Sequence, residues 1–379
     1  MPRSLRVALV HDWLTGMRGG ERVLDELCAI FPDADLYTLI HVPGSVSRRI
    51  EARRIVASPL SRLPGAARHY RKLLPLLPWA IGRFRLEGYD LVLSVSHAVA
   101  KGVRVAPGTP HVCYCLTPMR YVWDQIDAYL GRGPLRVLSV PLVAWLRRWD
   151  RRTSGPDRIT KVIAISETVR ARVRERWARD ADVIHPPVDV ERIRPDGQPP
   201  DPFFLMVGAF VPYKREALAV EAFRGVRAEL RVVGDGPLRA AVAARAPGNV
   251  RFLGRVNDAT LARLYARCRA LVYPQEEDFG IVAVEAQAAG RPVIAFGRGG
   301  AAETVVPPGA GDRAPTGLFF DEPTPEALRD ALRRFEADEK RFDPAAVRAH
   351  AERFSVARFQ REMGAALSTV VPVAAGAAA

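Results

Sequence analysis

The stretch Pro274-Gln-Glu-Glu-Asp-Phe-Gly-Ile-Val-Ala-Val-Glu-Ala-Gln-Ala-Ala-Gly-Arg-Pro292 decides the fold. The apolar run Ala270-Leu-Val-Tyr273 just ahead of it predicts a short buried strand, which Pro274 ends. A helix is expected from Asp278 to about Ala289, stopping at Gly290. Glu277 then lies in a loop before a helix N-terminus, and Glu285 lies inside the helix, with seven residues between them. A helix N-terminus offers free N–H groups and partial positive charge, which suits phosphate. Gly280 has no side chain to hold a ligand away from those groups. A carboxylate on each side of such a site can accept hydrogen bonds from hydroxyls. The stretch is thus suited to a nucleotide-sugar, with hydroxyls at each end and phosphate between. Two glutamates near a helix start are more often a solvated face with a favourable dipole contact, so the neighbourhood has to decide.

The chain has 379 residues, long enough for two domains with their own cores. It is 48% hydrophobic and 26% charged, which excludes a disordered chain. The net charge of +14 predicts attraction to phosphates, anionic lipid or nucleic acid without choosing among them. Cys28, Cys113, Cys115 and Cys268 show no C-x-x-C spacing, which argues against zinc and for a reducing compartment. No run of eighteen uncharged apolar residues and no leader-like segment is read, so a cytoplasmic location is expected, and the tail after Leu367 reads as frayed.

Upstream, strands alternate with helices. Arg6 to Val10 predicts a first strand, followed by Thr15-Gly-Met-Arg-Gly-Gly-Glu21 and a helix from about Glu21 to Phe31. Further strands are expected at Leu36–Ile40, Leu91–Ser94, His111–Cys115 and Lys161–Ser166, with Ser166 capping a helix. Ligands of open parallel sheets sit beyond the strands' C-terminal ends. His97, Arg120 and Asp124 each follow a strand and are candidate pocket residues; a lone His there is more often structural. The run Pro195 to Pro202 marks the expected domain boundary.

The alternation restarts at Phe203–Val207. Lys214 and Arg215 fall between that strand's end and a helix, where two cations can meet a diphosphate. Leu230–Val233 leads into Gly234-Asp-Gly-Pro237, and Pro292–Ala295 leads into Gly297-Arg-Gly-Gly300. The fold class is α/β: two doubly wound Rossmann-like domains facing a central cleft. The expected divisions are 1–198, 199–355, and a helix and tail, 356–379, that packs back on the first domain.

Two stretches join basic and apolar residues. Arg62 to Arg85 contains Arg71, Lys72, Arg83, Arg85 and Trp79. Arg132 to Arg152 contains six arginines, Trp145 and Trp149. Such interleaving suits an anionic lipid surface, against the plainer reading of core-packing helices with a solvated arginine face. A nucleic-acid binder is favoured by charge alone, since no stacking motif or helix-turn-helix pair is present.

Taken in order, Val211-Pro-Tyr-Lys-Arg215, Val232-Val-Gly-Asp-Gly-Pro237, Leu253-Gly-Arg255, Glu277-Asp-Phe-Gly280 with Glu285-Ala286, Gly290-Arg-Pro-Val293 and Gly299-Gly300 resemble the nucleotide-binding half of retaining GT-B glycosyltransferases of family 4. Gly19-Gly-Glu21, Ser96-His97-Ala-Val-Ala-Lys-Gly102, Thr117-Pro-Met-Arg-Tyr121 and Ile165-Ser166 resemble bacterial members that build O-antigen and exopolysaccharide, which often use GDP-mannose. The resemblance implies retaining, metal-independent transfer of a hexose, mannose favoured. The donor is a nucleotide-sugar and the acceptor a lipid-linked oligosaccharide or polysaccharide. It implies no metal and no cofactor; the two basic and apolar stretches with the surplus of cations predict peripheral contact with the inner face of the cytoplasmic membrane, and no nucleic acid is expected. Glu277 would bind donor-sugar hydroxyls, and the Phe279-Gly280-Ile281 backbone would meet sugar and phosphate. Glu285 would bind ribose. Lys214 would neutralise the leaving diphosphate with help from Arg215, and Gly234 would line the donor site. Gly20 would approach the phosphate from the other domain, and His97 joins Lys214 and Glu277 as a catalytic candidate. Gly19, Arg120 and Asp124 fall on the acceptor side. Two positions depart from the family pattern: Ala209 replaces an Arg, and Leu116 replaces a His. The rival readings are a catalytically weak sugar-nucleotide-binding or membrane scaffold, favoured by Leu116, and a GT-B sugar-nucleotide epimerase.

Overall fold

The computed structural model describes residues 5–124 and 139–371. Residues 132–138 of the second basic stretch and the side chains of Arg71 and Lys72 lie outside the described residues. The chain forms two compact units, residues 1–187 with 359–379, and residues 188–358.

The strands in chain order are β1 (Val7–Leu14), β2 (Asp35–His41), β3 (Arg54–Ala57), β4 (Arg85–Leu86), β5 (Leu91–Ser96), β6 (Arg104–Val105), β7 (His111–Cys115), β8 (Lys161–Ala164), β9 (Asp182–Val183), β10 (Phe203–Val207), β11 (Glu229–Val233), β12 (Val250–Gly254), β13 (Leu271–Tyr273), β14 (Val293–Phe296) and β15 (Gly317–Phe320). The first unit's sheet runs β3-β2-β1-β5-β7-β8-β9, every pairing parallel. The second unit's sheet runs β12-β11-β10-β13-β14-β15, also parallel throughout. Central strands such as β1 and β5 are buried along their whole length, as expected where helices cover both faces. In each sheet the order reverses beside the first strand, the position where a doubly wound sheet opens a crevice for ligand.

Strand β1 runs four residues past the expected Val10 and carries His11 and Asp12 into the sheet. The helix after β13 starts at Ile281 instead of Asp278, because Gly280 takes φ +88° and breaks the helical run ahead of it. Glu277 therefore stands four residues before the helix. The units divide at Pro187/Val188, eleven residues before the expected 198/199. The reason is backbone pairing that composition does not show: the Val188 N–H donates to the Phe354 carbonyl (2.9 Å). Arg348 holds the carbonyls of Val190 and Ile193, and Arg291 holds that of Gln198. The proline run thus belongs to the second unit. At the other end the division falls at 358/359. Phe359 meets the Tyr114 ring edge-on at 5.8 Å, and Gln360 Nε2 donates to Glu26 Oε2 (3.0 Å) within the first unit.

Candidate functional site

The candidate residues fall into two groups, each within one unit, at the C-terminal ends of that unit's central strands.

In the second unit, Lys214 Nζ is ion-paired with Glu277 Oε1, while the Tyr273 hydroxyl donates to Glu277 Oε2 at 2.5 Å. Lys214 comes from a single 3-10 turn, Pro212–Lys214. The next residue, Arg215, adopts φ +56°, a left-handed conformation uncommon for a residue with a side chain, which redirects the chain into the helix Glu216–Ala222. The Arg215 guanidinium lies 4.6 Å from the Phe296 ring centroid and donates to the Pro274 carbonyl (3.4 Å). The glutamate loop is braced from the side by the Gly300 N–H, which donates to the Glu277 carbonyl at 2.7 Å. A Cβ on Gly300 would stand 2.2 Å from Phe279 Cα, so glycine is required for this approach. Gly234 meets the same kind of limit, since a Cβ there would fall 1.8 Å from the Gly208 carbonyl oxygen. Phe279 is buried against Phe354, leaving its backbone and that of Gly280 and Ile281 at the helix start. Glu285 is only 3% exposed; Oε2 accepts from the Tyr265 hydroxyl (2.8 Å), and Oε1 lies 3.8 Å from Arg192. The structure therefore brings Lys214, Arg215, Gly234, Glu277, Phe279, Gly280, Ile281 and Glu285 to one end of one sheet.

In the first unit, Asp12 is fully buried at the end of β1. Its Oδ2 accepts from the N–H groups of His97 (2.8 Å) and Ala98 (3.0 Å). Its Oδ1 accepts from those of Val99 and Ala100 (both 2.7 Å). Burial works to raise its pKa, but the imidazole of His97 and then that of His11 hold it far below the usual carboxylate range. His97 Nδ1 lies 3.1 Å from Asp12 Oδ2, and the ring meets Trp13 edge-on at 4.5 Å. Beneath the start of the helix Gly19–Ile30, buried His11 faces Glu21 at 3.8 Å. Burial depresses the His11 pKa, yet Glu21, with a smaller push from Asp12, more than offsets it, so His11 is raised above its ordinary value. A Cβ on Gly20 would stand 2.8 Å from Leu116 Cδ1 and 3.3 Å from His11 Cε1. Gly19, Gly20, His97 and Leu116 thus gather at the ends of β1, β5 and β7. Asp124 does not join them as a free group: it is ion-paired with Arg176 at 2.7 Å. Arg120 opens the short helix Arg120–Trp123.

The sequence reading passed over His11 and Asp12, leaving them just beyond a first strand that it ended at Val10. It also passed over Tyr273, Tyr265 and Glu216. The signal for Asp12 was a charged residue continuing a central parallel strand, where one must find several donors to be tolerated.

Two doubly wound parallel sheets, one carrying an acid–base pair at a glycine-opened helix start, define the frame of a GT-B glycosyltransferase. The description "Glycosyltransferase Family 4" matches residues 17–192, and "Glycosyl transferases group 1" matches residues 189–351. The chain belongs to glycosyltransferase family 4, with the GT-B fold. An uncharacterised glycosyltransferase of Methanocaldococcus jannaschii is 30% identical over 177 residues, covering 45% of this chain and 48% of the relative. A GDP-mannose-dependent alpha-mannosyltransferase of Mycolicibacterium smegmatis is 37% identical over 182 residues, 46% of each chain. These matches span about half the length of the relatives. The fold is that of Anabaena HepE, solved with UDP and glucose, at TM-score 0.67 and 17% identity over 96% of this chain and 99% of that one.

Proposed function

We propose that the protein transfers a hexose, mannose favoured, from a nucleoside-diphosphate sugar to a lipid-linked or polysaccharide acceptor with retention of configuration. The observation that carries this is the Lys214–Glu277 pair set at the Gly280-Ile281 helix start. A donor can exchange this internal pair for two external ones, sugar hydroxyls on Glu277 and the diphosphate on Lys214. Glu285 supports the ribose end, and the mannosyltransferase of M. smegmatis supports mannose. In the reaction the bond from the sugar C1 to the phosphate oxygen breaks, and its electron pair goes to the phosphate. The acceptor oxygen bonds C1 from the same face and passes its proton to the departing phosphate oxygen. Lys214, Arg215 and the helix start stabilise the growing negative charge, the term that dominates such catalysis. No resident cofactor or metal enters this scheme.

A donor at 100 times its Kd should stabilise the fold by ~2.7 kcal/mol in a thermal-shift screen of nucleotide-sugars. Lys214→Ala should lower kcat by about 10²-fold, the effect of losing one preorganised donor. An effect on KM alone would refute its role in the leaving-group step. Anomeric inversion, seen by NMR of the product, would refute retention.

The acceptor reading extends to an anionic membrane on its cytoplasmic side. In the first unit Trp79 (56% exposed), Trp145 (46%), Leu76 and Leu142 stand in solvent, and the Arg83 guanidinium covers Trp79 at 5.1 Å. No helix among the described residues is long and apolar enough to cross a membrane. Binding to phosphatidylglycerol vesicles at low salt, lost as screening length falls from ~10 Å to ~3 Å, is the expected result. A protein that stays in the supernatant at low salt refutes it.

A further inference from the structure

Glu216 is a buried carboxyl that the donor scheme above leaves unused. It is 2% exposed and opens the helix Glu216–Ala222 directly behind Lys214 and Arg215. Its Oε1 has no hydrogen-bond partner among the described residues. That oxygen lies 3.8 Å from where a Cβ on Gly208 would stand, at the end of β10. Gly208 is in turn packed backbone to backbone against Gly234. The carboxyl therefore sits behind the two glycine-bearing loops of the candidate diphosphate subsite.

The charges around it do not neutralise it. Lys214 is the neighbour whose field reaches it, and the Lys214 ammonium is already engaged by Glu277. Arg215 is turned onto Pro274 and Phe296, and it lies 4.0 Å from Glu276. On the elements packed against the helix, Arg329 holds the carbonyls of Glu221 and Ala222, at the helix's far end. Asp235 takes the Gly236 N–H and faces Arg255 at 4.0 Å, and Arg239 opens the neighbouring helix. Residue 209, next to Gly208, is an alanine and adds no charge. Burial is the largest influence on Glu216 and pushes its pKa up to about 7, more than offsetting the opposite pull of its own backbone, of Lys214 and of the Val211 backbone.

We propose that Glu216 is a positioning residue that must stay protonated for the diphosphate of the donor to bind, because its ionised form places an uncompensated negative charge behind the phosphate site. This rests on the reading of the second unit as the donor site. The consequence is a donor affinity that weakens as pH rises through neutrality, carried by one side chain.

The test uses the full chain and two probes, GDP-mannose and UDP-glucose, whose diphosphate diesters keep a constant charge from pH 6 to 8.5. Calorimetric Kd values for the parent should rise toward about tenfold per pH unit above the Glu216 pKa. In Glu216→Gln and in Glu216→Met the profile should be flat and the pH 8.5 affinity close to the parent's at pH 6. In turnover, the parent's loss should appear in KM for the donor, with kcat little changed. A parent Kd that does not vary with pH overturns the inference, as does a Glu216→Gln profile that still follows the parent's. If the parent binds neither probe at pH 6, the donor-site reading fails, and the inference falls with it.

Discussion

Asp12→Asn removes one charge and exchanges one oxygen for an amide nitrogen, and the structure shows what that does. Four backbone N–H groups, from His97 through Ala100, point at the two carboxylate oxygens at 2.7–3.0 Å. Asparagine can serve two of them. Its NH2 group then confronts the other two, donor against donor, in a site with no exposure to water. Two hydrogen bonds to a charged acceptor are lost, at ~1.5–3 kcal/mol each. The expected destabilisation is ~3–6 kcal/mol, a large part of the ~5–15 kcal/mol that holds a domain together. Urea unfolding at pH 7 gives the total, and amide exchange at residues 97–100 shows where it falls. The folded pKa of Asp12 lies below its ordinary 3.8, so the stabilisation is present above that value and fades only as pH falls below it. The gap between parent and variant should narrow as pH rises through the range where His11, whose pKa Asp12 helps raise, loses its proton, and the hydrogen-bond part of it should persist to pH 8. A loss under ~1 kcal/mol, with the four amides as protected as before, would falsify the account of Asp12 as the clamp that sets His97.

Glu216 gives a stability prediction of the opposite sign. Its folded pKa is about 7 against an ordinary 4.5, so between those values the folded state holds the extra proton and stability falls as pH rises. The parent should lose up to ~3 kcal/mol from pH 5 to pH 8, and Glu216→Gln should not; parallel urea midpoints for the two proteins would sink this. Gly300→Ala places a methyl within 2.4 Å of the Phe279 backbone and displaces the loop whose Glu277 carbonyl takes the Gly300 N–H. A shift of about 1 Å there should slow transfer by roughly 10²-fold. Gly364→Ala, which meets nothing within 4 Å, is the control; equal rates for the two variants would refute the brace.

The strands were legible because parallel strands buried on both faces read as unbroken apolar runs. Phe203–Val207 and His111–Cys115 match to the residue. Edge strand β3 (Arg54–Ala57) was passed over because Arg54 and Ala57 are exposed and the run is short. The donor residues of the second unit were legible because each lies in a local pattern of strand end, glycine-bearing loop and helix start, although Lys214 and Glu277 are 63 positions apart. Lys214, Glu277 and Glu285 keep fixed offsets from strand ends, and glycines announce the loops. The first unit's group was not. The Asp12 clamp joins residues 85 to 88 positions apart, and no local pattern encodes it. Glu216 was passed over because a glutamate at a helix start reads as a favourable dipole contact. Only the folded chain, in which it is 2% exposed, shows that it is buried.

The first unit is completed by residues that follow the second. About 170 residues separate Pro187 from Phe359. At ~5–20 residues per second, a ribosome needs roughly 10–30 s to make that interval. Throughout it, the nascent first unit has Tyr114 without the Phe359 ring and Glu26 without Gln360. The earliest-made sheet is therefore the last to be sealed. A premature stop shortly before Phe359 would leave an intact second unit attached to a first one that can never close its apolar surface.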